Sequence, residues 1–192
     1  MLLAEKQENS MSLSLGGTSE PSDQTPSDCF IIVSTPIGSM VAVANDSFLL
    51  ALYFIDEDRQ DEWIEQLSTT AVQRLNVVLE LLQQELQDYF NGTLKVFTVS
   101  IGNVAKTKFF ADVLQCVKAV PYGVTKSYGQ IAQEVGNVGA VRAVGAANKS
   151  NVLLLVIPCH RVVRGDGSLG GYSQGIDRKA WLLHHEQSFL DT

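Results

Sequence analysis

Several features are scarce in this 192-residue chain, and each scarcity excludes something. The longest fully apolar run, Val152 to Ile157, falls far short of the roughly 20 residues that span a bilayer, so no membrane association is expected. Cysteine is limited to Cys29, Cys116 and Cys159, an odd number at unrelated spacings, which excludes a disulfide framework and a paired-cysteine knuckle. No histidine precedes His160, and the other two are His184 and His185, so a zinc site of mixed Cys and His ligands is not expected, nor any other cofactor. Ahead of its short apolar stretch the N-terminus has no basic segment of the kind that opens a secretory signal. The cytoplasm is the expected location, or the nucleus in a eukaryotic host. Base is scarce in residues 1–100, which hold four Lys and Arg against fifteen Asp and Glu. That half is a poor surface for a polyanion.

What is present is a chain able to bury a core: 45% hydrophobic, 18% charged, mean hydropathy +0.08. Residues 101–192 reverse the charge balance, with ten basic against six acidic side chains. The net charge of −7 therefore hides a second half suited to a polyanionic partner. Residues 1–28, rich in Ser, Glu, Asp, Gly and Pro, read as a disordered acidic tail. Strand-like runs follow at Cys29 to Ser34, Met40 to Ala44 and Phe48 to Phe54, separated by turn signals, which predicts a small antiparallel meander. Val72, Leu75, Val78, Leu79, Leu82, Leu86 and Phe90 recur at helical spacing and predict a helix from Thr69 to Phe90, stopped by Asn91-Gly92. A strand at Val96 to Ile101 is expected to close an N-terminal domain over residues 29–102.

Residues 103–192 are expected to form a second, mostly helical domain. Phe109 to Val120 predicts a helix ended by Pro121-Tyr122-Gly123. A short helix over Thr125 to Ala132, closed near Gly136, and a second from about Gly139 to Lys149 give the pattern of a helix-turn-helix. Such pairs also occur in plain helical packing. The apolar run before Pro158-Cys159-His160 reads as a buried strand that delivers Cys159 to the end of a sheet-like element. A free cysteine is often only a small buried hydrophobe, and neighbours in extended chain point to opposite faces. His160 therefore meets the thiol only across a sharp turn or through a water. The overall class is α+β.

Ile-Pro-Cys-His-Arg-Val-Val, with Pro-Tyr-Gly, Ser-Tyr-Gly-Gln-Ile-Ala and Val-Arg-Ala-Val-Gly-Ala-Ala-Asn upstream and Leu-Gly-Gly-Tyr-Ser downstream, resembles the O6-alkylguanine-DNA alkyltransferase family, the methylated-DNA–protein-cysteine methyltransferases. The motifs are dense from about Phe109 to Glu186. The resemblance implies that Cys159 accepts an alkyl group irreversibly from O6-alkylguanine in double-stranded DNA, one turnover per molecule. It further implies that His160 activates the thiol through a water, with Glu186 holding the imidazole. Asn151 corresponds to the hinge asparagine, Tyr128 to the tyrosine that protonates the leaving purine and contacts the neighbouring phosphate, and Arg142 to the arginine that fills the gap left by the flipped base. Gly170, Gly171, Tyr172 and Ser173 correspond to the loop lining the guanine pocket. The implied helix-turn-helix enters the minor groove, and the implied protein acts as a monomer. A thiolate is the attacking species and O6 is unreachable inside a duplex, so both activation and base extrusion are chemically required.

Two departures stand out: Asn151 is followed by Val152, and Leu154 also stands where the family commonly has a proline, which leaves the rigidity of the hinge open. Two other functions compete. One is a lesion sensor that binds alkylguanine without transfer, which the presence of Cys159 opposes. The other is a cysteine hydrolase built on Cys159 and His160, which adjacency of the two and the absence of an oxyanion-hole motif oppose.

Overall fold

The computed structural model describes residues 28–190, so the acidic tail read from residues 1–28 lies outside the described residues apart from Asp28. Three strands, β1 (Cys29–Thr35), β2 (Gly38–Ala44) and β3 (Leu49–Phe54), form the expected antiparallel meander. The expected helix from Thr69 is shorter than its periodicity suggested. A helix missed in the sequence, α1 (Gln60–Ser68), comes first, and then Val72–Gln73 forms β4, parallel to β1 at the sheet edge. The sheet order is β3-β2-β1-β4 and the sheet is mixed. Helix α2 starts only at Val77 and runs to Phe90, because Asn76 caps it: its Oδ1 accepts from Leu79 N–H while its Nδ2 donates to the Asn45 carbonyl. Val72 and Leu75, counted in the helical pattern, are exposed.

Val96 to Ile101 is a second correction. It is not a strand but an irregular segment with a single bridge, Ile101 to Leu49. Its polar groups are met by a side chain instead. The buried Glu85 of α2 accepts from Thr98 N–H and Thr98 Oγ1 at 2.6 Å each and from Val99 N–H at 3.2 Å.

The second half contains α3 (Lys108–Lys118), the short strand β5 (Lys126–Ser127), α4 (Tyr128–Glu134), α5 (Val141–Lys149), the short strand β6 (Val162–Val163) and α6 (Ile176–Ser188). Ser127 and Gln130 cap α4 reciprocally, and Gly136, at φ +76°, turns the chain toward α5. α3, α4 and α5 pack on one another through Val113, Leu114, Val117, Ile131, Ala132, Val144 and Ala147. β5 and β6 pair in parallel, which ties the start of α4 to the chain just after Cys159.

The boundary expected at 102 and 103 falls between Ile101 and α3, but one continuous apolar core spans both sides of it. β3 pairs with the segment before Cys159 at one point: Leu52 N–H donates to Val152 O at 2.7 Å and Leu154 N–H donates to Leu52 O at 2.9 Å. Arg178 of α6 donates to the Ile37 carbonyl in the β1–β2 turn and lies over the Phe54 ring. Gly92, at φ +78°, lets the end of α2 approach Phe189, whose ring occupies the space a Cβ would need.

Replacing Glu85 by Ala leaves three donors of the 98–99 segment without their acceptor. The expected loss is about 2–4 kcal/mol of folding stability, read from urea midpoints. An unchanged midpoint contradicts the role given to this carboxylate.

Candidate active site

Residues 152–158 are not the expected buried strand. After the one-residue pairing at Leu153 the chain turns at Leu154, Leu155 and Val156, with Leu155 at φ +67°, and then enters a 3-10 turn over Cys159–Arg161. A strand is precluded because the bonds that fold this loop are local: Ile157 N–H donates to Leu153 O, Cys159 N–H to Ile157 O, and Arg161 N–H to Pro158 O. Asn151 completes it. Its Oδ1 accepts from Leu153 N–H at 3.0 Å, and its Nδ2 donates to Ile157 O at 2.8 Å and to Cys159 Sγ at 3.2 Å. One buried amide thus braces the hinge that lacks prolines and places the sulfur. The 3-10 turn carries both Cys159 and His160, but His160 Nε2 is turned to Glu186 and its Nδ1 makes no hydrogen bond to the sulfur.

Behind the sulfur lies a buried charge cluster. Glu186 of α6 is fully buried, and its carboxylate accepts hydrogen bonds from four groups. His160 Nε2 meets Oε1 at 2.8 Å, Tyr89 Oη donates to Oε1 at 2.8 Å, Arg161 donates through Nε and Nη2 at 2.9 to 3.2 Å, and Gly123 N–H donates to Oε2 at 2.9 Å. Arg161 Nη1 also donates to the Val120 carbonyl. Burial raises the Glu186 carboxyl, but the hydrogen bonds of His160 and Arg161 and the Arg161 charge outweigh it and hold it at about 2. Burial pushes His160 down against the upward pull of Glu186, which favours a neutral ring. With Nε2 donating to Glu186, Nδ1 is the basic nitrogen, and it is buried without a protein partner among the described residues. Burial likewise pushes the Cys159 thiol up, opposed by the Asn151 hydrogen bond and the Lys179 charge. At rest the sulfur is a thiol.

In front of Cys159 is a cavity of about 300 Å³ lined by Tyr128, Gly145, Asn148, Lys149, Gly171, Tyr172 and Ser173. Tyr128 Oη donates to the Gly171 carbonyl at 3.5 Å. Gly170 adopts φ +68°, and a Cβ there would press on the Tyr128 ring, so this glycine sets the approach of loop to ring. Of the residues singled out in the sequence, Asn151 is hydrogen-bonded to Cys159 and His160 to Glu186, the two pairs joined through the 3-10 turn, while Tyr128, Gly171, Tyr172 and Ser173 wall the cavity, with Gly170 against Tyr128. Arg142 is on neither. It is exposed in the first turn of α5, the helix whose Gly145, Asn148 and Lys149 line the cavity.

Sequence reasoning missed four residues here. Lys179 is fully buried; its Nζ donates to Val162 O at 2.6 Å and to Gly171 O at 3.4 Å, and burial lowers it to about 8. Its spacing from Leu182 and Glu186 on α6 was the available signal. Arg161 adjoins the Cys-His pair but nothing in its spacing marked it as the partner of Glu186. Tyr89 lies outside the apolar pattern of its helix and has no expected role in the site, and Asn148 stands at the end of a quoted motif without a role of its own.

Residues 108–188 match the family model described as the DNA-binding domain of 6-O-methylguanine DNA methyltransferase. A methylated-DNA–protein-cysteine methyltransferase of Salmonella typhimurium is 37% identical over 171 residues, covering 82% of this chain and 95% of its own length. One from Methanosarcina acetivorans is 34% identical over 163 residues, covering 83% and 98%. Among solved structures, Mycobacterium tuberculosis OGT in complex with DNA superposes with a TM-score of 0.73 at 34% identity, covering 84% of this chain and 94% of that one.

The depressed Glu186 carboxyl fixes a sign. A folded value of about 2 against an ordinary 4.5 contributes stability that is present above about pH 4.5 and is lost as pH falls toward 2. Glu186→Gln leaves Arg161 buried and unpaired, at an expected cost of about 3–5 kcal/mol near neutrality. That cost should shrink steadily in urea titrations below about pH 4.5, as the parent protein protonates. A difference constant with pH counts against ionised Glu186 as the centre of the cluster.

Proposed function

The chain belongs to the methylated-DNA–protein-cysteine methyltransferase family, and from that premise we propose that it repairs DNA by taking the alkyl group of an O6-alkylguanine onto Cys159, once per molecule. The observation that carries the reading is the position of Cys159 Sγ, held by the Asn151 amide between a cavity large enough for a purine and a buried His160–Glu186 pair.

The reaction follows from these groups. The Cys159 proton passes to Nδ1 of His160, through a water as the family resemblance implies, and Glu186 stabilises the resulting imidazolium. Asn151 Nδ2 and the Lys179 charge favour the thiolate that remains. The sulfur attacks the alkyl carbon, the S–C bond forms as the C–O6 bond breaks, and the bonding pair leaves with the purine. Tyr128 supplies the purine with a proton, and the proton on His160 restores the balance. The products are unmodified guanine and a thioether, which no group in the site can cleave. Tyr172, Ser173 and the Gly170–Gly171 backbone hold the base. Arg142, projecting from α5, occupies the stack that the base has left, and the net-positive second half faces the phosphates. Cys159 in this setting favours transfer over the lesion-sensing alternative. The protein works as a monomer.

Incubation with a duplex carrying one O6-methylguanine should add one methylene mass, located on Cys159 by peptide mapping. Cys159→Ser should bind the duplex and take up nothing. A methyl on Cys29 or Cys116, or none on the parent protein, overturns the reading. Arg142→Ala should slow repair of the duplex about tenfold or more while barely changing reaction with free O6-benzylguanine, because only the duplex has a stack to fill. Equal losses remove Arg142 from that role. Binding to undamaged duplex should weaken steeply with salt despite the net charge of −7, and a flat salt dependence means that the DNA surface lies elsewhere.

A further inference from the structure

The penultimate residue of α2 reaches the reactive centre from the acidic half of the chain. Tyr89 Oη donates to Glu186 Oε1, the same oxygen that meets His160 Nε2, and both contacts measure 2.8 Å. Tyr89 is 1% exposed. Its ring packs against Phe90, Phe97, Tyr122 and His185, and its carbonyl meets His185 Nε2 at 2.9 Å. The hydroxyl is therefore fixed through both ring and backbone. An O–H donor on a buried carboxylate is a charge-assisted bond, and a donor on one oxygen withdraws charge from every other bond that oxygen makes.

We propose that Tyr89 is a positioning residue for alkyl transfer: its hydroxyl fixes Glu186 Oε1 and limits how much of the carboxylate's charge reaches His160. The proposal rests on the reading of Cys159 as the alkyl acceptor. The other charged and titratable groups around the pair are Cys159 and Arg161 from the same 3-10 turn, Lys179 and His185 from α6, and Tyr122 from the segment after α3. α3, which packs on the turn, buries Val113, Leu114 and Val117. Arg161 also withdraws charge from both carboxylate oxygens, but its second role, on the Val120 carbonyl, makes it part of the scaffold. Tyr89 can be changed at one atom. Burial and the Glu186 charge hold its phenol well above the ordinary tyrosine range, so it remains a donor throughout the working range.

The direction of the effect follows. Without the Tyr89 donor, Oε1 carries more charge, its bond to His160 strengthens, and the imidazole holds a proton to higher pH. Transfer needs His160 neutral at the outset, so the acid limb of the rate profile moves up. Tyr89→Phe keeps the ring and removes only the hydroxyl; 3-fluorotyrosine at position 89 keeps every contact and makes the donor stronger. Single-turnover rates of Cys159 alkylation by free O6-benzylguanine, measured across pH, leave DNA binding out of the comparison. Tyr89→Phe should shift the acid limb up by about half to one unit, and 3-fluorotyrosine should shift it down. Histidine ring shifts in NMR titrations should move in the same senses. Limbs unmoved in both proteins, with Cys159 still alkylated, overturn the proposal and leave the transfer reading intact. No alkylation of the parent protein overturns the reading beneath it. If Tyr89→Phe does not fold, the fluorotyrosine protein decides alone.

Discussion

A carboxylate with no access to solvent must be satisfied entirely by the protein, and at Glu186 that requirement gathers four segments of the chain at one point. Tyr89 comes from the end of α2, Gly123 from the turn after α3, His160 and Arg161 from the 3-10 turn, and Glu186 itself from α6. Buried charge of this kind is costly unless every lone pair is met, so the geometry of the cluster is strongly specified. The same bonds that make the charge tolerable orient His160 with Nδ1 as its basic nitrogen. Stability and reactivity are therefore two consequences of one arrangement.

The meander contributes more than a scaffold. Leu52 in β3 anchors the chain at Leu153, Arg178 ties α6 to the β1–β2 turn, and Tyr89 extends into the charge cluster. The active-site loop is held at its start by the sheet, in its middle by Asn151, and at its end by the pairing of β5 with β6. With Val152 and Leu154 in place of prolines, nothing fixes φ at those two positions, and the loop is held by hydrogen bonds and strand pairing alone.

Charge is divided in space as well as along the chain. The exposed side of α5 carries Arg142 and Lys149, and Lys149 also lines the cavity, whose other walls, Tyr128, Gly145, Asn148, Gly171, Tyr172 and Ser173, are uncharged. Burial favours the thiol form of Cys159, and the Asn151 amide and the Lys179 charge oppose it.

The sequence by itself determined the meander, the helix-turn-helix and the motif residues, because these depend on local periodicity, capping and turn chemistry. Asn76 capping α2, Glu85 replacing a strand with side-chain bonds, and the turn that stands where Val152 to Ile157 read as a strand were not legible. Each depends on partners distant in the chain or on backbone that apolar periodicity does not report. In the site, Cys159, His160 and Glu186 followed from the motif and its resemblance. Arg161, Asn148 and Tyr89 became visible only after folding, and Lys179 left no signal beyond its helical spacing, because a buried polar residue looks in sequence like any surface residue. Only the tertiary structure decides which carboxylate its donors will share.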